Sequence, residues 1–450
     1  MRRDQLDCPI MENIKLEFLA PGEIKPRIRA YRKHSPKQVD LIARSLKERG
    51  CIEPVLVDSQ NRIVCGEAVV AAAGQIGLNR LPVVRAGHLS DDQLRAYAVA
   101  ANRLAEYAGY DEELLGQEIS DIADLLADYD LAGLGFEAAE IDNYLGITSL
   151  ERDAAAEVVP PLAPNARVSA KGDLWIIGDH RLLNDDALVP ANYSRLLDGR
   201  LAQLVLSDVP YNLSGKTISG SGKIKHGDFI QGAGEMSRAE FTRFLTSAMR
   251  CMRGASIDGS IHMIFMSWHY LLEMLRAGAI VYDELKAICT WIKQQGGQGA
   301  FYRSQTEFIA VFKNGDEKHI NNIMMGRFGR NRTNAWNYAG MNTATKARDE
   351  LLAMHPTVKP LDLLEDAILD CSNLRGIVLD PFVGSGSTII AAHRTGRVGY
   401  GMDLDPLYAD VALRRIRAAT GIEPIRESDG KGFSELEASR LANGEEESDD

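Results

Sequence analysis

Residues 376–405 read GIVLDPFVGSGSTIIAAHRTGRVGYGMDLD, and this stretch decides the fold class. Ile377, Val378 and Leu379 form a short apolar run that closes on Asp380, the pattern of a buried strand. The turn Gly384-Ser385-Gly386 follows, then a helix-like stretch from Ser387 to Gly396, then a second strand-like run that closes on Asp403. Strand, tight turn, helix and strand make a βαβ unit, and such units build a largely parallel sheet. Glycines in the turn let the backbone approach a ligand closely, and the helix start offers free N–H groups. An acid ending the second strand is often where a ribose hydroxyl pair is bound, although a helix N-cap before Pro406 is the plainer use of Asp403.

Working outward, LAQLVLSD, SIHMIFMS, AICTWI and EFIAVF are further strand-like runs, separated by helical ones. Lys286–Phe312 holds two of them with a short connection, as an antiparallel pair at one edge of the sheet would. SDVPYN (Ser207–Asn212) directly follows a buried strand. Asp208 can accept hydrogen bonds from an amino group, a carbonyl at the Pro210 step can accept another, and Tyr211 offers a π-face to a base. The same residues would also serve as a plain strand-to-turn corner. Six glycines between Leu213 and Gly234, with Lys216, Lys223, Lys225 and His226, describe a basic loop able to close over a substrate. HPTVKP (His355–Pro360) precedes a helix that leads to the Asp380 strand, where Lys359 could meet a carboxylate.

The 450 residues carry 51 Lys and Arg against 63 Asp and Glu, a net charge of −12, which argues at first against a nucleic-acid partner. The charge is unevenly divided. Lys25–Arg49 holds nine basic and two acidic residues, and Lys286–Lys359 eleven basic and five acidic. Leu104–Leu150 has twelve acids and no Lys or Arg, and Ser434–Asp450 has seven acids and one Arg. Such blocks point to separate roles along the chain. No apolar run is long enough to span a membrane, and MRRDQLDCPI has no apolar core behind its arginines, so neither a span nor a signal peptide is expected. Six scattered cysteines form no C-x-x-C, so we expect no metal site, reduced thiols and a cytoplasmic location.

The order SDVPYN, HPTVKP, DPFVGSGST resembles the amino-group (N6-adenine/N4-cytosine) DNA methyltransferases of the permuted, β-type arrangement, over roughly Gly172–Gly421. The resemblance implies an α/β, Rossmann-like sheet dependent on S-adenosylmethionine. It implies catalytic roles for Asp208, Pro210 and Tyr211. Asp380, Phe382, Gly384, Ser385, Gly386, Asp403, Thr357 and Lys359 would bind the cofactor, with Asp403 on its ribose and Lys359 near its methionine end. Residues 315–354 occupy the target-recognition position. Arg and Asn read guanine and adenine edges, so Arg327, Arg330 and Arg332, with Lys223 and Lys225 in the glycine-rich loop, are the expected DNA contacts. A phosphate-contacting loop would use the same residues. Val209 departs from the family's usual proline. An aspartate at the first motif position favours adenine N6. The expectation is therefore a site-specific adenine-N6 methyltransferase acting on double-stranded DNA, as in restriction-modification systems, with a homodimer allowed. The alternatives are an N4-cytosine enzyme and a DNA-binding regulator that has lost catalysis.

Residues from about Glu12 to Arg103 resemble a smaller α+β ParB/sulfiredoxin-like domain, on SLKERGCIEPVLVD, RIVCGEAVVAAAGQIGL and VAANRLAE. Gly66-Glu67-Ala68-Val69 lacks the arginine usual at that turn, so nucleotide hydrolysis is not expected. A docking role through Arg27, Arg29, Arg32 and Lys33 is. The SPKQVDLIARSLKERG segment places Val39, Ile42 and Leu46 at helical spacing between a Ser35 cap and Gly50. The expected order is a ParB-like domain over 1–103, an acidic helical extension over 104–150 and a proline-rich extended linker over 151–166. The methyltransferase domain would span 167–421, followed by an acidic disordered tail over 422–450.

Overall fold

The structure is a computed structural model that describes residues 15–27, 29–125, 131–147, 156–163, 167–213, 234–296, 301–327, 329–339 and 358–446. The chain divides into two units, Met1–Glu137 and Ala138–Asp450. In the first, β1 (Leu16–Leu19), β2 (Val55–Val57), β3 (Ile63–Cys65) and β4 (Leu81–Arg85) form a sheet in the order β1-β4-β2-β3. Helix α1 (Pro36–Arg49) begins where the Ser35 hydroxyl accepts the Gln38 N–H at 3.1 Å, and ends at Gly50 with φ 77°. β2 and β3 make the hairpin read from the sequence, its turn held by Asp58, which accepts the N–H groups of Gln60 and Arg62 at 2.8 Å each. Helices α2 (Glu67–Gln75), α3 (Asp91–Ala105) and α4 (Glu112–Leu125) complete this unit. Two of the four basic residues expected to dock a partner make side-chain bonds within it, the half-buried Arg27 and the exposed Arg32. Arg27 donates to the Val64 carbonyl, and Arg32 donates to Asn102 and Glu106 at 2.7 and 3.1 Å. Arg29 and Lys33 are exposed.

The second unit opens with α5 (Ala138–Tyr144). Its strands are β5 (Leu174–Ile177), β6 (His180–Asn184), β7 (Ala202–Ser207), β8 (Ser256–Met266), β9 (Glu284–Ile292), β10 (Thr306–Lys313), β11 (Ala335–Asn337), β12 (Ile377–Asp380), β13 (Val398–Asp403) and β14 (Ile425–Arg426). Among the described residues they form one mixed sheet ordered β11-β9-β10-β8-β7-β12-β13-β6-β5-β14. The middle strands β8, β7, β12, β13 and β6 are parallel, while β10 and β5 run against their neighbours.

Helices α6 (Pro190–Leu197), α7 (Arg238–Gly254) and α8 (Leu271–Val281) cover one face. Helices α9 (Leu361–Cys371), α10 (Ser387–Arg394) and α11 (Pro406–Thr420) cover the other. Both faces of the central strands are therefore buried, which is why they read as continuous apolar runs. Leu204 and Leu206 of β7 enter the core under α9–α11, while Val205 enters the core under α6–α8. Gly399 lets β13 touch α10, since a Cβ there would stand 2.7 Å from the Ile389 backbone.

Three expectations need correction. The antiparallel β9–β10 pair exists but is not the edge, because β11, from the expected target-recognition region, pairs parallel to β9 outside it. The segment after Gly421 is not a disordered tail up to Glu446. β14 pairs with β5, and α12 (Phe433–Glu446) seats Phe433, fully buried, edge-on against Trp175 with ring centroids 5.4 Å apart. Acidity outweighed one well-placed aromatic in the sequence reading. The proline-rich linker also packs in part, with Ala156 and Val159 buried.

The acidic stretch supplies a buried counter-ion to the second unit. Asp142 on α5 receives both terminal nitrogens of Arg397 at 2.8 Å each, and both side chains are buried. Removing one partner of such a pair leaves an uncompensated charge in the core. Asp142→Ala should cost about 3–5 kcal/mol, measured by denaturant unfolding of the whole chain. A loss below about 1 kcal/mol would mean that the Ser372 and Thr395 carbonyls suffice for Arg397.

Candidate active site

The connections after β7 and β12 lead to opposite sides, β7 to β8 and β12 to β13, so a crevice opens at the carboxyl ends of these two adjacent strands. Asp380 braces it. Its carboxylate accepts the Ser207 hydroxyl from the end of β7 at 2.8 Å, the Thr388 hydroxyl from α10 at 2.6 Å and the Phe382 N–H at 3.1 Å. Burial pushes the Asp380 carboxyl up to about 6, against the pull of these donors. Asp403 accepts the Gly384 N–H at 3.0 Å and the Asp405 N–H at 2.8 Å, and desolvation pushes it up to about 7. Gly384 has φ 51°, and a Cβ there would meet nothing within 4 Å, so the turn presents bare backbone to open space.

One cavity is lined by Asp208, Pro210, Tyr211, Lys359, Asp380, Phe382, Gly384, Ser385 and Asp403, so most of the residues singled out in the sequence converge. Gly386 stands behind it as the N-cap of α10, φ 83°, where a Cβ would press on Ile416 at 3.2 Å. Ser385 also faces inward, accepting from Arg415 at 3.0 Å; Arg415, nearly fully buried, supports the glycine turn from α11. Val209, the departure from proline, is buried in the core beneath α7. Its side chain thus serves packing.

Asp208 is held on one side only. Its Oδ2 receives the Lys359 ammonium, and its Oδ1 is buried with no partner. Burial raises the Asp208 carboxyl above the ordinary range despite Lys359. Lys359 also faces Glu307 at 3.3 Å, Tyr211 donates its hydroxyl to Glu307 at 2.9 Å, and Lys293 donates to the other Glu307 oxygen. Burial works to raise Glu307, but Lys359 and Lys293 outweigh it and hold the carboxyl at about 2. The sequence-based expectation that Lys359 meets a carboxylate holds, with Asp208 as that carboxylate.

The expected DNA contacts fare differently. Arg327 is exposed. Arg330 and Arg332 are not available to read bases. Arg330 pairs with Asp370 at 2.6 Å and Asp366 at 3.2 Å, and Arg332 pairs with the same two acids at 3.1 and 3.0 Å. Both acids lie on α9, so these guanidiniums fasten the β11 segment to that helix. Thr357, Lys223 and Lys225 lie outside the described residues. Glu307, Lys293, Arg415 and the cavity-lining Tyr408 were not found from the sequence. Glu307 lies at the start of an antiparallel strand and Arg415 within a helix, away from any glycine turn or strand end. Among the described residues no His, Cys, Asp and Glu cluster is placed to hold a metal ion, and no helix is long and apolar enough to cross a membrane.

The raised Asp403 carboxyl has a definite consequence for stability. A folded-state value above the unfolded one makes the contribution largest at low pH and removes it as pH rises toward about 7. Asp403→Asn should therefore gain stability relative to the ligand-free wild type as pH is raised from 5 to 8, measured by thermal melting of both proteins. A constant difference across that range would place the carboxyl in water.

Three parts of the chain match known families. The DNA methylase family profile matches residues 202–414. The ParB N-terminal domain matches 3–103, and a ParB-methyltransferase HTH domain matches 113–170, across the acidic helices and the linker. The type II methyltransferase M2.DpnII of Streptococcus pneumoniae is 29% identical over 231 residues, which is 48% of this chain and 82% of that protein. The ParB-like nuclease domain-containing protein YnaK of Escherichia coli is 32% identical over 82 residues, 18% of this chain and 94% of that protein. The solved PvuII DNA methyltransferase (cytosine-N4-specific) aligns with 60% of this chain and 94% of its own, at 15% identity and a TM-score of 0.42. The chain carries a domain of the S-adenosylmethionine-dependent N6/N4 DNA methylase type over residues 202–414 and a ParB-type domain at its N-terminal side.

Proposed function

We propose that this protein methylates the exocyclic N6 of adenine at a specific site in double-stranded DNA. The observation that carries the reading is the unpartnered, buried Asp208 Oδ1 at the end of β7, beside the Tyr211 ring and in the same cavity as the glycine turn. A buried acceptor without a donor is costly, so its place in the fold calls for a donor from outside. An exocyclic amine is such a donor. Asp208 Oδ1 accepts one N–H, a carbonyl at Pro210 accepts the other, and the nitrogen lone pair is turned out of the base plane. Tyr211 holds the base by its face. A base inside a duplex cannot reach this corner, so it must be extruded.

The donor set around the cavity fits S-adenosylmethionine. Asp403 offers carboxylate lone pairs for a hydroxyl pair, Gly384 leaves space where a side chain would stand, and Phe382 offers an apolar wall. When bound, the cofactor supplies a methyl group already activated on a sulfonium. The protein's work is then alignment more than base strength. Lys359 keeps one Asp208 oxygen occupied, which leaves Oδ1 to face the amine and to take up the proton that the nitrogen loses. The aspartate at the first position of the motif supports adenine over cytosine.

Incubation with labelled S-adenosylmethionine and DNA, followed by nucleoside analysis, should yield N6-methyldeoxyadenosine; label in N4-methyldeoxycytidine would replace adenine by cytosine. Asp208→Ala should lower transfer by about 100-fold or more while cofactor binding, read by calorimetry, persists. Loss of both would make the corner a structural element.

A further inference from the structure

We propose that Glu307 is a positioning residue for the transfer, clamping the Tyr211 hydroxyl and the Lys359 ammonium together so that Asp208 offers one free oxygen to the base. This rests on Asp208 being the amine acceptor. Glu307 is the second residue of β10, which runs against β8 and pairs Phe308 with Met266. That direction sets the start of β10 beside the carboxyl ends of β8 and β7. Lys293 follows the last residue of β9 at the same edge, since Ile292 pairs with Thr306. Four side chains on separate elements thereby meet in a line: Lys293, Glu307, Lys359 and Asp208.

The line balances two ammoniums against two carboxylates, and Glu307 is its branch point. One Glu307 oxygen takes Lys293, and the other takes both Tyr211 and Lys359. The Tyr211 ring can swing about χ1 unless its hydroxyl is fixed. Lys359, packed between the rings of Tyr211 and Phe265 at 5.4 Å each, could otherwise bridge either oxygen of Asp208. Buried ionic networks add little net stability, which makes a purely structural account of four charges here a weak one. A clamp that sets the face holding the base and the atom accepting its amine is a use that needs this geometry.

The test is kcat against pH for the full chain on duplex DNA, with S-adenosylmethionine binding measured alongside. The charged groups facing Asp208 are Lys359 from the segment before α9, Glu307 from β10 and Asp380 from β12, with the Tyr211 phenol on its own loop. Glu307→Gln removes a negative neighbour. It should lower kcat about tenfold and move the acid limb to lower pH, with cofactor affinity unchanged. Lys359→Met should move the acid limb to higher pH. Tyr211→Phe keeps the ring and should also lose about tenfold in kcat, but should add less than about twofold in a Glu307→Leu background, because the two changes break one contact. Full kcat with an unmoved acid limb in Glu307→Gln would overturn the proposal, as would fully additive losses. Should Glu307 variants fail to melt cooperatively, Tyr211→Phe at full kcat overturns it alone. A wild-type protein that methylates no DNA would instead bring down the reading of Asp208.

Discussion

The Asp380 carboxylate accepts a hydroxyl from the end of β7 and another from the first turn of α10, and much of the active site depends on that pair of bonds. Ser207 is the residue before Asp208, and Thr388 is two residues beyond Gly386. One buried acid therefore sets the distance between the Asp208 corner and the glycine turn. The bonds also explain why this acid can be nearly fully buried. Its burial costs ionisation energy, which shows as a carboxyl raised to about 6, and three donors offset part of the cost. A methyl transfer needs its two reactants aligned to within fractions of an ångström. A brace made of short side chains on two strand ends and a helix start has little freedom to misalign them.

Around this brace the electrostatics divide the labour. Asp380 and Asp403 are desolvated and bonded mainly to neutral donors, so their carboxyls are raised. Glu307 is desolvated too, but two ammoniums face it and it stays ionised far below neutral pH. Asp208 lies between these cases, with one ammonium and one unpartnered oxygen. Similar burial thus produces different protonation behaviour, decided by which partners the fold brings close.

The net charge of −12 does not describe any one part of the molecule. The basic block before the Asp380 strand put Arg327, Arg330 and Arg332 forward as DNA contacts. Yet Arg330 and Arg332 are neutralised by Asp366 and Asp370, which lie more than thirty residues away in sequence. Likewise an acid of the strongly negative stretch, Asp142, serves as the counter-ion of a buried arginine. Charge blocks read along a chain indicate composition, but pairing across the fold decides which charges remain for a partner.

The chemistry that repeats locally was legible in the sequence. Apolar runs ending in Asp380, Asp403 and Ser207-Asp208, each followed by a turn or helix signal, foretell parallel strands whose carboxyl ends carry ligands, because strand burial and turn geometry are set within a few residues. The Ser35 cap and the Gly50 stop of α1 were legible for the same reason. Glu307, Arg415, the pairing of Arg330 with α9 and the seat of Phe433 were not, since each depends on contacts between distant segments. An antiparallel strand brings its first residues to the edge where parallel strands bring their last, and no local pattern marks which way a short apolar run will enter the sheet. The sequence by itself determined the fold class and the two loops of the site. Only the tertiary structure decided which charged side chains close around them, because that choice rests on strand direction and long-range pairing.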